Sequence, residues 1–159
     1  MILIIHDLLE EEFQKLNIKG DKVLSSDMKI TKCMGCFDCW IKNQGYCKYK
    51  DNFYNMKDLY NEADKIIVIS KNCYGMFSPF IKNVFDRSIG YIKPYFRTYK
   101  DEVHHQMHSD KVLKMEYIIY GDMNKLYQNT FDKLLTFNQE NFVNDYQVKY
   151  VDRIEDLYE

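Results

Sequence analysis

Four of the five cysteines lie between positions 33 and 47, in the run CMGCFDCWIKNQGYC: Cys33, Cys36, Cys39 and Cys47. Three thiols at steps of three, on a loop relaxed by Gly35, can wrap a compact group, and a fourth can close it from a short excursion. Four thiolates holding one centre are the ligand set of an iron–sulfur cluster. Zinc accepts the same four ligands, although its usual pairs lie farther apart. Packed thiols on a turn are the third reading, because free cysteine behaves as a small hydrophobe, and Phe37 and Trp40 interleave as core residues would.

A second group of ligating side chains is Glu102, His104, His105 and His108. On a helix His104 and His108 would share a face, and Glu102 or Asp110 would complete a metal site. No helical period surrounds them, so the simpler expectation is a solvated or interface loop. Arg87 and Arg97 are candidates for an anion, or for structural pairing with Asp86 or other carboxylates. No Ser-His-Asp set, phosphate-binding glycine loop or paired carboxylates can be picked out by spacing.

The composition narrows the functional class. A chain of 159 residues, 46% hydrophobic and 29% charged, describes one globular domain, taken as 1–159. A net charge of −2 with no basic run gives no footprint for nucleic acid, despite 14 tyrosines and 10 phenylalanines. No apolar run approaches membrane-spanning length, and Met1–Ile5 runs into Asp7 without the flanks of a signal segment. The expectation is a cytoplasmic protein that meets neither membrane nor nucleic acid, with cysteines acting as thiols or ligands rather than disulfides.

The elements that must position these residues centre on positions 65–87. Ile66, Val68 and their neighbours form an unbroken β-branched run with no polar face, the habit of a central parallel strand covered on both sides. Ser78-Pro79 then reads as an N-cap followed by proline at the first helical position. Phe80, Ile81, Val84, Phe85 and Ile89 give the apolar stripe, Lys82, Asp86 and Arg87 the other side, and Gly90 the end. Further strands are expected at Ile2–Ile5, Lys22–Ser25, Lys114–Tyr120 and Tyr146–Val151. Helices are expected at Leu8–Leu16, from a cap at Asp51 or Asn52 through Ala63, and around Leu126–Leu135, with a terminal helical turn over Ile154–Glu159. Tyr91–Asp110 shows little periodicity and reads as a long connection. This alternation predicts an α/β fold, a three-layer doubly wound five-stranded parallel sheet of flavodoxin-like order 2-1-3-4-5. In such sheets ligands sit beyond the carboxyl ends of strands, which makes 73–78 the first loop to consider.

At this point the chain resembles a known family. CMGCFDCW with Gly45, Cys47 and Asp51, followed by Tyr74-Gly75, Ser78, Lys82 and Asp86-Arg87, is similar to flavodoxin-fold proteins related to NADPH-dependent FMN reductases. It also resembles their iron–sulfur flavoprotein branch. The resemblance implies FMN, with Cys73, Tyr74, Gly75, Met76 and Ser78 on the loop against the flavin ring. It implies a [4Fe–4S] cluster on Cys33, Cys36, Cys39 and Cys47 near that ring, on the same edge of the sheet. It further implies an oxidoreductase or electron carrier with a redox partner or a small-molecule electron donor or acceptor. A homodimer is implied too, with the His104-His105 pair at the dimer contact or site lid.

One departure stands beside these agreements. The family's phosphate-binding loop after the first strand is rich in Ser, Thr and Gly, whereas here it reads His6-Asp7-Leu8-Leu9-Glu10-Glu11-Glu12. Carboxylates there repel a phosphate dianion, and His6 offers at most one contact. Either the phosphate is held elsewhere, or the domain keeps the fold without FMN and serves as a binding, regulatory, metal or thiol module.

Overall fold

The computed structural model describes residues 1–109, 111–142 and 144–158. Its first half runs β1 (Ile2–His6), α1 (Glu10–Lys15), β2 (Lys22–Ser25), α2 (Asp38–Ile41), α3 (Met56–Glu62), β3 (Lys65–Lys71) and α4 (Pro79–Arg87). The second half runs β4 (Ile92–Tyr99), β5 (Glu102–Met107), β6 (Leu113–Tyr120), α5 (Lys125–Phe142) and β7 (Asn144–Val151), with 3-10 turns over Ile89–Tyr91 and Ile154–Leu157. Among the described residues, five strands form a parallel sheet in the order β2-β1-β3-β6-β7, and β4 pairs with β5 alone. With that hairpin set aside, the order is the flavodoxin-like 2-1-3-4-5.

Side chains alternate across the sheet and so define two cores. Leu3, Ile5, Ile66, Val68 and Tyr117 face one side, where Ile81, Val84, Phe131 and Leu135 from α4 and α5 cover them. Ile4, Ile67, Ile69 and Ile118 face the other side, against Leu8, Leu16 and Ile154. The apolar run of β3 is thus buried on both faces, as its sequence indicates. On the second face the cover is α1, of 6 residues, and the 3-10 turn near the C-terminus. Glu159, the last residue of the expected terminal turn, lies outside the described residues. No helix among the described residues is long and apolar enough to cross a membrane.

Two expectations are corrected. Asp110 lies outside the described residues; within the segment 91–110, Ile92–Tyr99 and Glu102–Met107 form an antiparallel hairpin. Its strands are joined by Lys100 and Asp101, both left-handed at φ 51° and 61°. That is the backbone of a two-residue I′ turn, which usually announces itself as Asn-Gly; Lys-Asp conceals it. The helix expected from Asp51 or Asn52 begins instead at Met56: the Asp51 carboxylate accepts the Phe53 amide, but a turn over 52–55 precedes the helix.

His6 is fully buried at the end of β1, stacked on Phe13 with ring centroids 4.1 Å apart. Neither ring nitrogen has a partner in hydrogen-bonding geometry. Burial lowers its pKa from the ordinary 6.5, against the opposing pull of Glu10 and Asp7. The unfolded chain therefore binds the extra proton first as pH falls below 6.5. Urea unfolding followed from pH 7.5 down to pH 5 is expected to show stability declining over that window. His6→Phe, which keeps the stacked ring and cannot titrate, is expected to flatten the decline.

Candidate functional site

The cysteine loop leaves the carboxyl end of β2 and is fastened to α4 by one buried ion pair. Arg87 is 1% exposed and Asp51 6% at the side chain. Arg87 Nη1 donates to Asp51 Oδ2 at 2.9 Å and to the Thr31 carbonyl at 2.7 Å, and Nη2 donates to Asp51 Oδ1 at 2.8 Å. Asp51 also accepts the backbone amides of Thr31 and Phe53. Both ends of the loop, before Cys33 and after Cys47, thus converge on one residue of α4. Burial alone would raise the Asp51 carboxyl, but the hydrogen bonds from Arg87, Thr31 and Phe53 hold it down at about 2. Arg87 is therefore not on the solvent side of α4. It continues the apolar stripe three residues after Val84, a spacing from which its burial is readable.

Between these ends three more contacts fix the loop. The Cys33 amide donates to Asn83 Oδ1 at 2.9 Å. Trp40 Nε1 donates to the carbonyls of Ile89 and Ile92, each at 2.9 Å, while its ring lies against Phe37 and His105. Gly45 and Gly90 meet backbone to backbone: a Cβ built on Gly90 would lie 2.0 Å from the Gly45 carbonyl oxygen. Gly90 therefore does not end α4, which stops at Arg87; it makes room for the loop.

So held, Cys33, Cys36, Cys39 and Cys47 line one cavity, closed by Phe37, Lys48 and the end of α4 at Asp86–Ile89. Burial pushes the Cys39 thiol up to about 11, reinforced by the neighbouring Cys47, Cys33 and Cys36. The cations stand on the other side of the balance. Lys48 is raised chiefly by Cys36, and Arg87, despite burial, by Asp51 and Cys47. Arg87 Nε is buried without a hydrogen-bond acceptor. A thiolate at Cys47 would supply one. As they stand, no three His, Cys, Asp or Glu side chains among the described residues are gathered tightly enough for a single ion. The donor set, the orphaned Nε and the two cations fit a centre bearing the charge of four thiolates.

The loop 73–78 occupies the opposite end of α4. Cys73 and Met76 exchange backbone hydrogen bonds at 2.8 and 3.1 Å around Tyr74-Gly75, whose positive φ angles of 57° and 83° make a tight turn. Tyr74 is 88% exposed. Ser78 is buried and caps α4 through Ile81 N, while its own amide donates to Ser70 Oγ at 3.0 Å. From Ser78 to Asp86 the helix rises about 12 Å. The cysteines therefore lie along the C-terminal half of α4, and none of residues 73–78 lines their cavity.

At the carboxyl edge of the sheet, the position for a phosphate is filled by Asp7. Its carboxylate accepts the Lys71 amide at 2.9 Å and the Tyr120 hydroxyl at 3.1 Å. The first turn of α1 carries Glu10, Glu11 and Glu12, and Glu12 accepts the Leu9 amide at 2.9 Å. The Leu9 and Lys71 amides and the Tyr120 hydroxyl are already engaged by carboxylates, and the acidic first turn repels a dianion, so this edge does not fit the phosphate of FMN.

The histidines are not gathered into a metal face among the described residues. His104 lies between Glu102 and Asn141 at 3.1 and 3.2 Å, and His105 Nδ1 is 2.8 Å from the Lys93 carbonyl oxygen. His108 lies apart, beside Lys57 and Lys93. Arg97 is structural, donating to the His105 carbonyl at 3.2 Å. The sequence reading missed Asn83, Lys48, Lys57 and Lys93; none carries a local signal, because each meets its neighbours only through the fold.

These features define a flavodoxin-like α/β domain with a cysteine centre beside α4. The fold is shared, at 11% identity, with an FMN-dependent NADH-azoreductase from Bacillus anthracis in complex with FMN (TM-score 0.58, 98% of this chain and 91% of that one). It is shared likewise with an azoreductase from the same species at 8% identity (TM-score 0.60, 95% and 86%). By sequence, the homologues are iron–sulfur flavoproteins. One from Archaeoglobus fulgidus is 30% identical over 86 residues, 54% of this chain and 41% of that protein. A second from the same organism is 31% identical over 85 residues, 54% and 38%. The chain thus matches about two fifths of the length of these relatives. No family model matches.

Two outcomes follow from this geometry. Asp51→Asn leaves Arg87 buried without its counter-charge and is expected to cost about 3–5 kcal/mol in urea unfolding. In timed alkylation at neutral pH followed by mass spectrometry, exposed Cys36 is expected to react early. Cys39, half-buried and held protonated, is expected to react last among the four loop cysteines.

Proposed function

We propose that the chain is a flavodoxin-like redox protein, an oxidoreductase or electron carrier that holds an iron–sulfur cluster on Cys33, Cys36, Cys39 and Cys47 and works with FMN. The observation that carries this reading is the acceptorless Nε of Arg87, buried beside the Cys47 thiol in a cavity lined by all four cysteines. The names of the two archaeal relatives point the same way. When bound, such a cluster supplies one-electron chemistry.

The chain's own residues account for how the group is held and tuned. Four thiols give up their protons to ligation, so loading is expected to release protons and to favour higher pH. Arg87 and Lys48 bring positive charge against the thiolates, which stabilises the ligated state and raises its potential. Phe37 and Ile89 give the wall an apolar character that limits water.

For FMN the two ends of the site differ. The Cys73–Met76 turn, with Gly75 and Ser78, stands where a flavodoxin-like sheet presents a ligand, whereas the edge at Asp7 rejects a phosphate dianion. FMN is therefore proposed as an exchangeable group not anchored after β1, and no electron path through it is drawn. The setting proposed with it is a cytoplasmic homodimer serving a redox partner or small-molecule electron donor or acceptor. Asp7 favours a second reading, a domain that keeps the fold and cysteine centre and binds no flavin.

Protein prepared without oxygen is expected to contain iron and inorganic sulfide with broad visible absorbance, lost in Cys39→Ala, and to take up added FMN. Zinc without sulfide would give the cysteines a structural role. Iron and sulfide with no response to FMN would select the second reading. A colourless, metal-free protein indifferent to FMN would sink the proposal.

A further inference from the structure

A second cavity adjoins the cysteine loop, and its chemistry differs from that of the first. It is open, about 330 Å3 in volume, and lined by Lys57, Lys93, His108, Trp40, Tyr95 and Cys39 among others. Among the described residues no carboxylate lines it, although the chain as a whole carries a net charge of −2. The Lys57 ammonium donates to the Gln44 carbonyl at 2.9 Å. Among the described residues, neither the Lys93 ammonium nor the His108 ring has a carboxylate partner. The concentration of charge registers on His108, whose pKa is lowered by burial and by Lys57 and Lys93.

Two ammonium groups and an imidazole N–H, with no acid among the described residues that line the cavity, are a set of donors for an anion, and a phosphate satisfies them with several acceptor oxygens at once. The walls add a second requirement. Tyr95 presents a ring 65% exposed on the rim. Trp40 cannot turn away, because its indole N–H is shared between two carbonyls. Aromatic surface beside a phosphate-sized cluster of cations suits a planar base joined to a phosphate. Cys39 lines both cavities, so an occupant here would lie against one of the thiols of the proposed centre.

We propose that the Lys57–Lys93–His108 cavity binds a phosphate-bearing aromatic ligand of the mononucleotide class, its phosphate among the two ammonium groups and the imidazole and its base against Tyr95 and Trp40. This site stands without the redox reading, since it uses neither cluster nor flavin.

The test is a pair of calorimetric titrations of the purified full chain, AMP against adenosine, in low salt. AMP is expected to bind at least about tenfold more tightly than adenosine, with inorganic phosphate competing. Lys93→Gln/His108→Gln is expected to reduce AMP to the affinity of adenosine with the melting temperature unchanged. The single Lys93→Gln, at a half-buried side chain without an ion pair, gives an intermediate loss and serves if the double variant does not fold. FMN against riboflavin repeats the comparison with a flavin base. A phosphate-dependent gain with either pair that is lost in the variants supports the site. Equal binding with and without phosphate in both pairs, or variants that bind as tightly as the unsubstituted chain, overturns it. Variants that lose the phosphate-dependent gain for AMP while retaining FMN support this site as separate from the flavin site and leave the redox reading intact.

Discussion

The structure depends on the buried pairing of Arg87 with Asp51. The crossover from β2 to β3 contains four cysteines but little regular structure, and a segment of this kind pays a large conformational entropy to adopt one shape. The guanidinium gathers Asp51, Thr31 and Tyr49 onto the last turn of α4. In water such a pair would be worth little. Buried and fully hydrogen-bonded, its value lies in the penalty for separating it, so the loop ends cannot drift from the helix without stranding a charge. The Gly45–Gly90 contact and the Trp40 hydrogen bonds then have only a short span left to determine.

This anchoring determines where the chemistry lies. Because the loop is tied to the C-terminal half of α4, its thiols stand away from the carboxyl edge of the sheet, where loops of this fold ordinarily receive ligands. The carboxylate of Asp7 occupies that edge, satisfied by an amide of β3 and a hydroxyl of β6. Positive charge is placed instead around the cysteine loop: Arg87 and Lys48 at the thiols, Lys57 and Lys93 beside His108 in the adjoining cavity. The likeness to azoreductases covers the fold at 8–11% identity, and this distribution of charge belongs to the present chain.

The β4–β5 hairpin completes the arrangement. It inserts between α4 and β6, adds no strand to the parallel sheet, and brings Lys93, Tyr95 and His105 alongside Trp40. Without it the cysteine loop would have one wall, that of α4. With it the loop lies between a helix and a hairpin, and Trp40 bonds to the chain on its way from one to the other.

What the sequence determined by itself was local or periodic. The apolar runs of β1 and β3 have no polar face, so a doubly covered parallel sheet follows. Ser78-Pro79 starts α4, and the four cysteines are close enough in the chain to share a site in any fold. What tertiary structure decided was every contact between residues distant in sequence. Arg87 falls on the buried stripe by spacing, but its partner Asp51, 36 residues earlier, is supplied only by the fold. Lys57, Lys93 and His108 have nothing in common along the chain. Gly90 looks like a helix end and proves to be clearance for Gly45. The Lys100-Asp101 turn gives no compositional warning, because its left-handed backbone is stabilised by the strands it joins. Hydrophobic period and capping act within a few residues and can be read from order alone. Ion pairs, cavities and close backbone approaches depend on which surfaces packing brings together, and only the folded chain supplies that.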